Sequence, residues 1–266
     1  MCVLPVRVGP RRWRQSCCHR GLPQCVQTRR APLRPIGRSP GGGPPRTSGG
    51  VKLSGLRVVP IGRISGLLTA TRDCGLIHVS SIGATGRRHL LEALRQARRA
   101  GTVVSFDPNV RTRLWSDLTE LRTAMRAILD VTDIALPSFD DEAALWGDAD
   151  PQSTLSRLEH AGVQEIVVKN GAGEVACSWS GRREILPTPR IDRVIDTTGA
   201  GDSFNAGYLA GRLVGLPMTQ ACHIGQQLAG IVIGHYGALT PVDALDHVRA
   251  VVQTPANISR AVHVHA

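Results

Sequence analysis

From about Leu67 onward, short runs rich in Val, Ile and Leu alternate with amphipathic helical segments, and this alternation constrains the fold more than any other feature. Strands that are apolar along their whole length must be covered on both faces, and helices between successive strands supply that cover. The spacing predicts a strand at Leu76–Val79 and a helix over Arg87–Ala100, in which Leu90, Leu91, Leu94 and Ala97 recur on one face. Gly101 closes that helix, and Val103–Phe106 is the next strand. A helix at Asp117–Leu129, a strand at Asp133–Leu136 and a short helix at Asp141–Leu145 follow. Then come a helix at Thr154–His160, strands at Glu165–Lys169 and Val175–Trp179, and long helices at Gly201–Leu213 and Thr219–His235. A terminal helix is expected near Val242–Val252. The fold class is therefore α/β with a mostly parallel sheet.

Charge separates the first sixty residues from the rest. The formal net charge is +11, but residues 1–60 hold 12 Arg or Lys and no acid, which leaves residues 61–266 at −1. The same segment holds nine of the 17 prolines and nine of the 29 glycines, so little packed structure is expected there. A nucleic-acid arm would use Arg11, Arg12, Arg14, Arg29 and Arg30, but no interleaved aromatics support sequence readout, and nucleic acid is not an expected partner. Arginine richness suggests a targeting peptide, against which the Pro/Gly density would break an amphipathic helix. The favoured reading is a coding artefact of a GC-rich gene, since Arg outnumbers Lys 30 to 2. Cys17, Cys18, His19 and Cys25 lack the paired spacing of a metal cluster. No apolar run approaches the roughly 20 residues that cross a bilayer, so no membrane partner is expected. With no signal-peptide pattern, free thiols in a reducing cytoplasm are expected. A homo-oligomer is left open.

The stretch Asp196-Thr197-Thr198-Gly199-Ala200-Gly201-Asp202-Ser203-Phe204 follows a β-like run and opens a long helix. Small residues at 199–201 let backbone N–H groups approach an anion where the helix dipole is positive. Asp202 then stands beside that anion, where a carboxylate can take a proton from an attacking hydroxyl. The plainer alternative is a glycine turn followed by a helix-start acid.

Read whole, and continued by Asn205-Ala206-Gly207, this stretch resembles the C-terminal signature of the PfkB/ribokinase-like carbohydrate kinases. The resemblance implies a three-layer αβα fold, Mg-ATP as phosphoryl donor, Asp202 as catalytic base, and Gly199, Ala200 and Gly201 as the anion hole. It also implies a monovalent cation near Asp196 in some members. Phe106-Asp107-Pro108-Asn109-Val110-Arg111, with Leu114-Trp115 after it, resembles the strand-end segment of the family's sugar-acid and fructose kinases. There the guanidinium of Arg111, or that of Arg113, can clamp a carboxylate or phosphate, the alternative being a solvated loop cation. Asn109 and Arg111 are placed with the nucleotide site, and Arg111 with Asp202 at the substrate. Lys169–Glu174 lies where the family has its nucleotide-contacting loop, which brings in Lys169, Gly171 and Gly173. A glycine turn between strands is compatible with that role. Gln226 falls where the family often has an Asn near the adenine. Ser138-Phe139-Asp140-Asp141 stands at the family's Asn-x-x-Glu motif, so Asp141 is expected to hold a metal through water, or else to serve as helix N-terminal charge.

Together with His78-Val79-Ser80-Ser81-Ile82, these segments look most like 2-keto-3-deoxygluconate kinases, with fructokinases next and an inactive nucleotide-binding remnant as the reading from a different class. The resemblance covers about Leu67–Val252, the last two-thirds of a family member. The chain thus divides into a basic segment, 1–60, and a partial carbohydrate-kinase domain, 61–266. The family's first strands, its Gly-Gly…Asn sugar-binding motif and its β-sheet lid are not legible in residues 1–60. Their absence is expected to leave a sheet edge uncovered.

Overall fold

The computed structural model describes residues 2–6, 75–83, 87–238 and 246. The remainder of the basic segment lies outside the described residues, as does the expected terminal helix apart from Asp246, which is helical. Seven strands form one sheet in sequence order: β1 (Cys2–Val6), β2 (Leu76–Ser80), β3 (Val103–Asp107), β4 (Ile134–Ala135), β5 (Glu165–Val168), β6 (Val175–Trp179) and β7 (Arg182–Leu186). β2 to β5 are parallel, with Ser80 opposite Asp107 and Ser105 opposite Ile134. β1 pairs antiparallel with β2, Cys2 against Ser80, and is the edge strand on that side of the sheet. The helices are α1 (Arg87–Arg99), α2 (Leu118–Leu129), α3 (Phe139–Trp146), α4 (Pro151–His160), α5 (Ala200–Leu213) and α6 (Met218–Ile233).

Among the described residues two compact units separate, the first holding 2–6, 75–168 and Cys177–Arg183, the second Lys169–Ala176 and 184–238. In the first, Leu76, Ile77, Val79, Val104 and Phe106 are fully enclosed, and α1 buries Leu90, Ala93, Leu94 and Ala97. Ala93 completes that face where the periodicity suggested Leu91. Asp133 ties the parallel strands to α1: one carboxylate oxygen accepts from Val104 N–H and the other from Arg98 Nε, both at 2.9 Å. Helix starts follow the local chemistry. Asp117 accepts from Thr119 N–H at 2.8 Å, and Asp150 accepts from Ser153 N–H at 2.7 Å just ahead of Pro151.

β7 has no apolar alternation, since Arg182 to Ile185 are all exposed. It exists because Ser180 and Gly181 both take positive φ, 49° and 77°, the geometry of a tight hairpin turn that folds the chain back after β6.

Between α3 and α4 sits a buried charge cluster. Arg157 bonds both Glu142 and Asp148 and lies over the Trp146 ring, with Arg126 also against that ring. Burial pushes the Glu142 carboxyl up to about 7, against the downward pull of Arg157. The folded protein therefore holds a proton that the unfolded chain has released above pH 4.5. Stability should fall as the pH rises from there to about 7, by at most about 1.4 kcal/mol per pH unit from this group. Chemical denaturation at several pH values should show that slope, and Glu142→Gln should flatten it.

In the second unit α5 and α6 pack with their backbones touching. A Cβ on Gly207 would lie 2.8 Å from Ile224 O and 2.9 Å from Gly225 Cα, and one on Gly225 would lie 2.8 Å from Phe204 O. Overpacking of this kind costs about 1–3 kcal/mol, and here the clash is with backbone. The helix-propensity gain of Gly to Ala is only about 1 kcal/mol. Gly207→Ala should therefore lower the denaturation midpoint despite its better helix propensity.

Candidate functional site

The turn ahead of α5 is built from three restraints. Ala200 N–H closes it on Thr197 O at 3.2 Å, which places Gly199 at φ +80. An L side chain there would be strained, and its Cβ would also meet Ala238 Cβ at 2.8 Å. Asp196 braces both sides: Oδ1 accepts from Thr198 N–H and Oδ2 from Gly237 N–H, each at 2.9 Å. Ile195 N–H donates to Ile233 O at 2.7 Å, so the end of α6 is joined to the same turn.

Of the three amides expected to form the anion hole, that of Ala200 is already engaged with Thr197 O. The N–H groups of Gly199 and Gly201 have no acceptor among the described residues. The bond that closes the turn thus uses the middle donor of the three. Asp202 stands exposed in the first turn of α5. Lys169 joins this group from the end of β5: its Nζ lies 3.5 Å from where a Gly201 Cβ would be, and it donates to Asn205 Oδ1 at 3.0 Å.

Gly171, at φ +54, and Gly173 shape the loop after Lys169, where Gly173 N–H donates to Asn170 O at 2.7 Å. A Cβ on Gly173 would collide with the Asn170 side chain at 2.5 Å. Thr188 Oγ1 donates to Gly173 O at 2.5 Å, and Gln226 Nε2 donates to Pro187 O at 2.9 Å and reaches Thr188 Oγ1 at 3.4 Å. Gln226 is only 7% accessible, and its Oε1 is buried with no partner among the described residues. Sequence reasoning missed Thr188, which nothing in its surroundings marks. It passed over Asn205 as a structural continuation of the glycine motif.

The first unit carries the other group. Asn109 takes φ +37, held by its N–H on Asp107 Oδ1 at 3.0 Å and its Nδ2 on Ser80 Oγ at 3.1 Å. Its carboxamide donor is therefore engaged with a strand end. Asp141 Oδ2 accepts from Val110 N–H at 2.9 Å, so this carboxylate holds the same loop. Arg111 caps a 3-10 turn at Thr112–Leu114, with both Arg111 and Arg113 exposed. The structure brings Asp141, from the first turn of α3, against the loop that carries Asn109 and Arg111. Lys169, Gly171, Gly173, Gln226 and the 199–202 turn form the separate group of the second unit.

Residues 73–245 match the family model described as pfkB family carbohydrate kinase. The chain is 41% identical over 172 residues to 2-dehydro-3-deoxygluconokinase of Escherichia coli K12, covering 64% of this chain and 56% of that protein. The enzyme of the same name from Dickeya dadantii is 40% identical over 173 residues, with the same coverage. The chain thus spans a little over half the length of these relatives. Among solved structures, the fructokinase of Vibrio cholerae O395 with fructose, ADP and calcium ion bound superimposes with a TM-score of 0.58 at 25% identity, over 64% of this chain and 59% of that one. The fold is the ribokinase-like α/β fold.

Hydrogen bonds from Thr198, side chain before backbone, and from Gly237 N–H hold the Asp196 carboxyl below its usual 3.8. A lowered carboxylate stabilises the fold above that pH, and the contribution disappears as the pH falls through its depressed value. Asp196→Asn should melt below the parent at neutral pH, with the gap closing in strong acid when thermal unfolding is followed across the range.

Proposed function

The chain belongs to the pfkB family of carbohydrate kinases, and from that membership we propose that it transfers the terminal phosphoryl group of Mg-ATP to a hydroxyl of 2-keto-3-deoxygluconate. The observation that carries this reading is the turn at 196–202, with two N–H groups lacking acceptors among the described residues, an exposed acid in the first helical turn, and an ammonium group against Gly201. Asp202 accepts the proton of the sugar hydroxyl as its oxygen attacks. The Gly199 and Gly201 N–H groups donate to the transferring oxygens, and Lys169 adds a positive charge beside them. Gln226 Oε1, buried and without a partner among the described residues, is suited to accept from the exocyclic amine of adenine.

Among the described residues no three His, Cys, Asp or Glu side chains converge on a metal. That suits a magnesium ion that arrives on the nucleotide phosphates and keeps its waters. Asp141, at the family's acidic motif, would be the residue to hold a magnesium-bound water, and its Oδ2 accepts from Val110 N–H. Magnesium held there would supply charge withdrawal from the phosphoryl oxygens. Each oxygen of Asp196 accepts one N–H donor, which leaves lone pairs for a monovalent cation.

Arg111 and Arg113 offer guanidinium groups to a sugar-acid carboxylate. The substrate named for the Escherichia coli and Dickeya dadantii relatives, a sugar acid, supports that choice. Fructose is the second reading, favoured by the likeness to the Vibrio cholerae fructokinase.

Incubating the purified chain with Mg-ATP and either 2-keto-3-deoxygluconate or fructose decides between them by which sugar is phosphorylated. ATP binding with no phosphorylated product from either sugar would leave a nucleotide-binding protein without transfer. Asp202→Asn should lower turnover at least ~100-fold with nucleotide binding kept; a fully active variant would refute the assignment of the base.

A further inference from the structure

The position of Lys169 is electrostatically odd. A helix N-terminus carries the positive end of the dipole, and cations are favoured at the opposite end. Yet the Lys169 ammonium lies against Gly201 in the first turn of α5, and its residue is only 7% accessible. Such a placement becomes favourable when an anion arrives to share both positive charges.

What holds it there is Asn205, 2% accessible, whose Oδ1 accepts from Nζ at 3.0 Å. Gly201 and Asn205 are four residues apart and so share one face of α5. Helical side chains lean toward the N-terminus, so Asn205 reaches back over position 201. Glycine at that position leaves room for the ammonium, which an added Cβ would already touch at 3.5 Å.

We propose that Asn205 is a positioning residue, its carboxamide oxygen fixing the Lys169 ammonium beside the Gly201 N–H so that the terminal phosphates of the nucleotide meet a cation already in place. This rests on the nucleotide reading of the turn. It concerns phosphate recognition alone, because Asn205 is buried beneath the turn.

The test is calorimetric binding of ATP and of adenosine to the full chain, with the ratio of the two affinities as the readout. A merely structural Asn205 would weaken both ligands alike. Asn205→Ala should lower the ATP-to-adenosine ratio by about tenfold with adenosine affinity unchanged. Lys169→Met should lower it by a similar factor, and the double variant should fall no further, because both changes remove one arrangement. Asn205→Asp keeps the shape and an acceptor for the ammonium, and so supplies a folded variant if alanine does not. Its carboxylate cancels the charge, so the ratio should again fall. An unchanged ratio in either folded Asn205 variant, or full additivity with Lys169→Met, overturns the proposal while leaving the kinase reading standing. Failure of the parent chain to bind ATP overturns both.

Discussion

Gly207, Gly211 and Gly225 let α5 and α6 meet backbone to backbone, and the chemistry proposed for the second unit depends on that approach. At Gly207 and Gly225 there is no space for a methyl group, and at Gly211 a Cβ would press on Ala221 at 3.0 Å. With the helices this close, the end of α6 reaches Ile195 through Ile233 O, and the chain beyond it reaches Asp196 through Gly237 N–H. Ala238 then lies where any side chain on Gly199 would go. The turn is thus shaped from outside, by the helix pair, as much as by its own residues.

Charge is distributed with the same economy in both units. The second places a buried ammonium, two N–H groups lacking acceptors among the described residues and one exposed carboxylate around a single helix start. The first uses its carboxylates differently: Asp107 and Asp141 accept backbone N–H groups of the 109–110 loop, and Ser80 takes the Asn109 amide. Asn109 is kept in the left-handed region by these bonds. The exposed Arg111 therefore starts from a loop whose backbone is pinned at two points and whose Asn109 side chain is held at a third.

Most of the α/β frame was legible because burial writes itself into local periodicity. Strands at 76–80, 103–107 and 175–179 are buried along nearly their whole length around apolar residues, and α1 repeats its buried residues at helical spacing. β7 was not legible, since four of its five residues face solvent and only a two-residue turn of positive φ creates it. The burial of Gln226 was not legible for a related reason. A polar residue on a helix reads as exposed until a distant carbonyl, that of Pro187, is brought to its amide.

The sequence by itself determined the parallel α/β plan, the glycine turn before α5 and the identity of Asp202, because hydrophobic spacing and glycine's backbone freedom are local properties. Only the tertiary structure decided which donors of that turn lack acceptors among the described residues and that Lys169 donates to Asn205 beside Gly201. It likewise decided that Asp141 holds a loop. Those outcomes depend on which hydrogen-bonding partners distant segments bring within about 3 Å, and no local pattern encodes that distance.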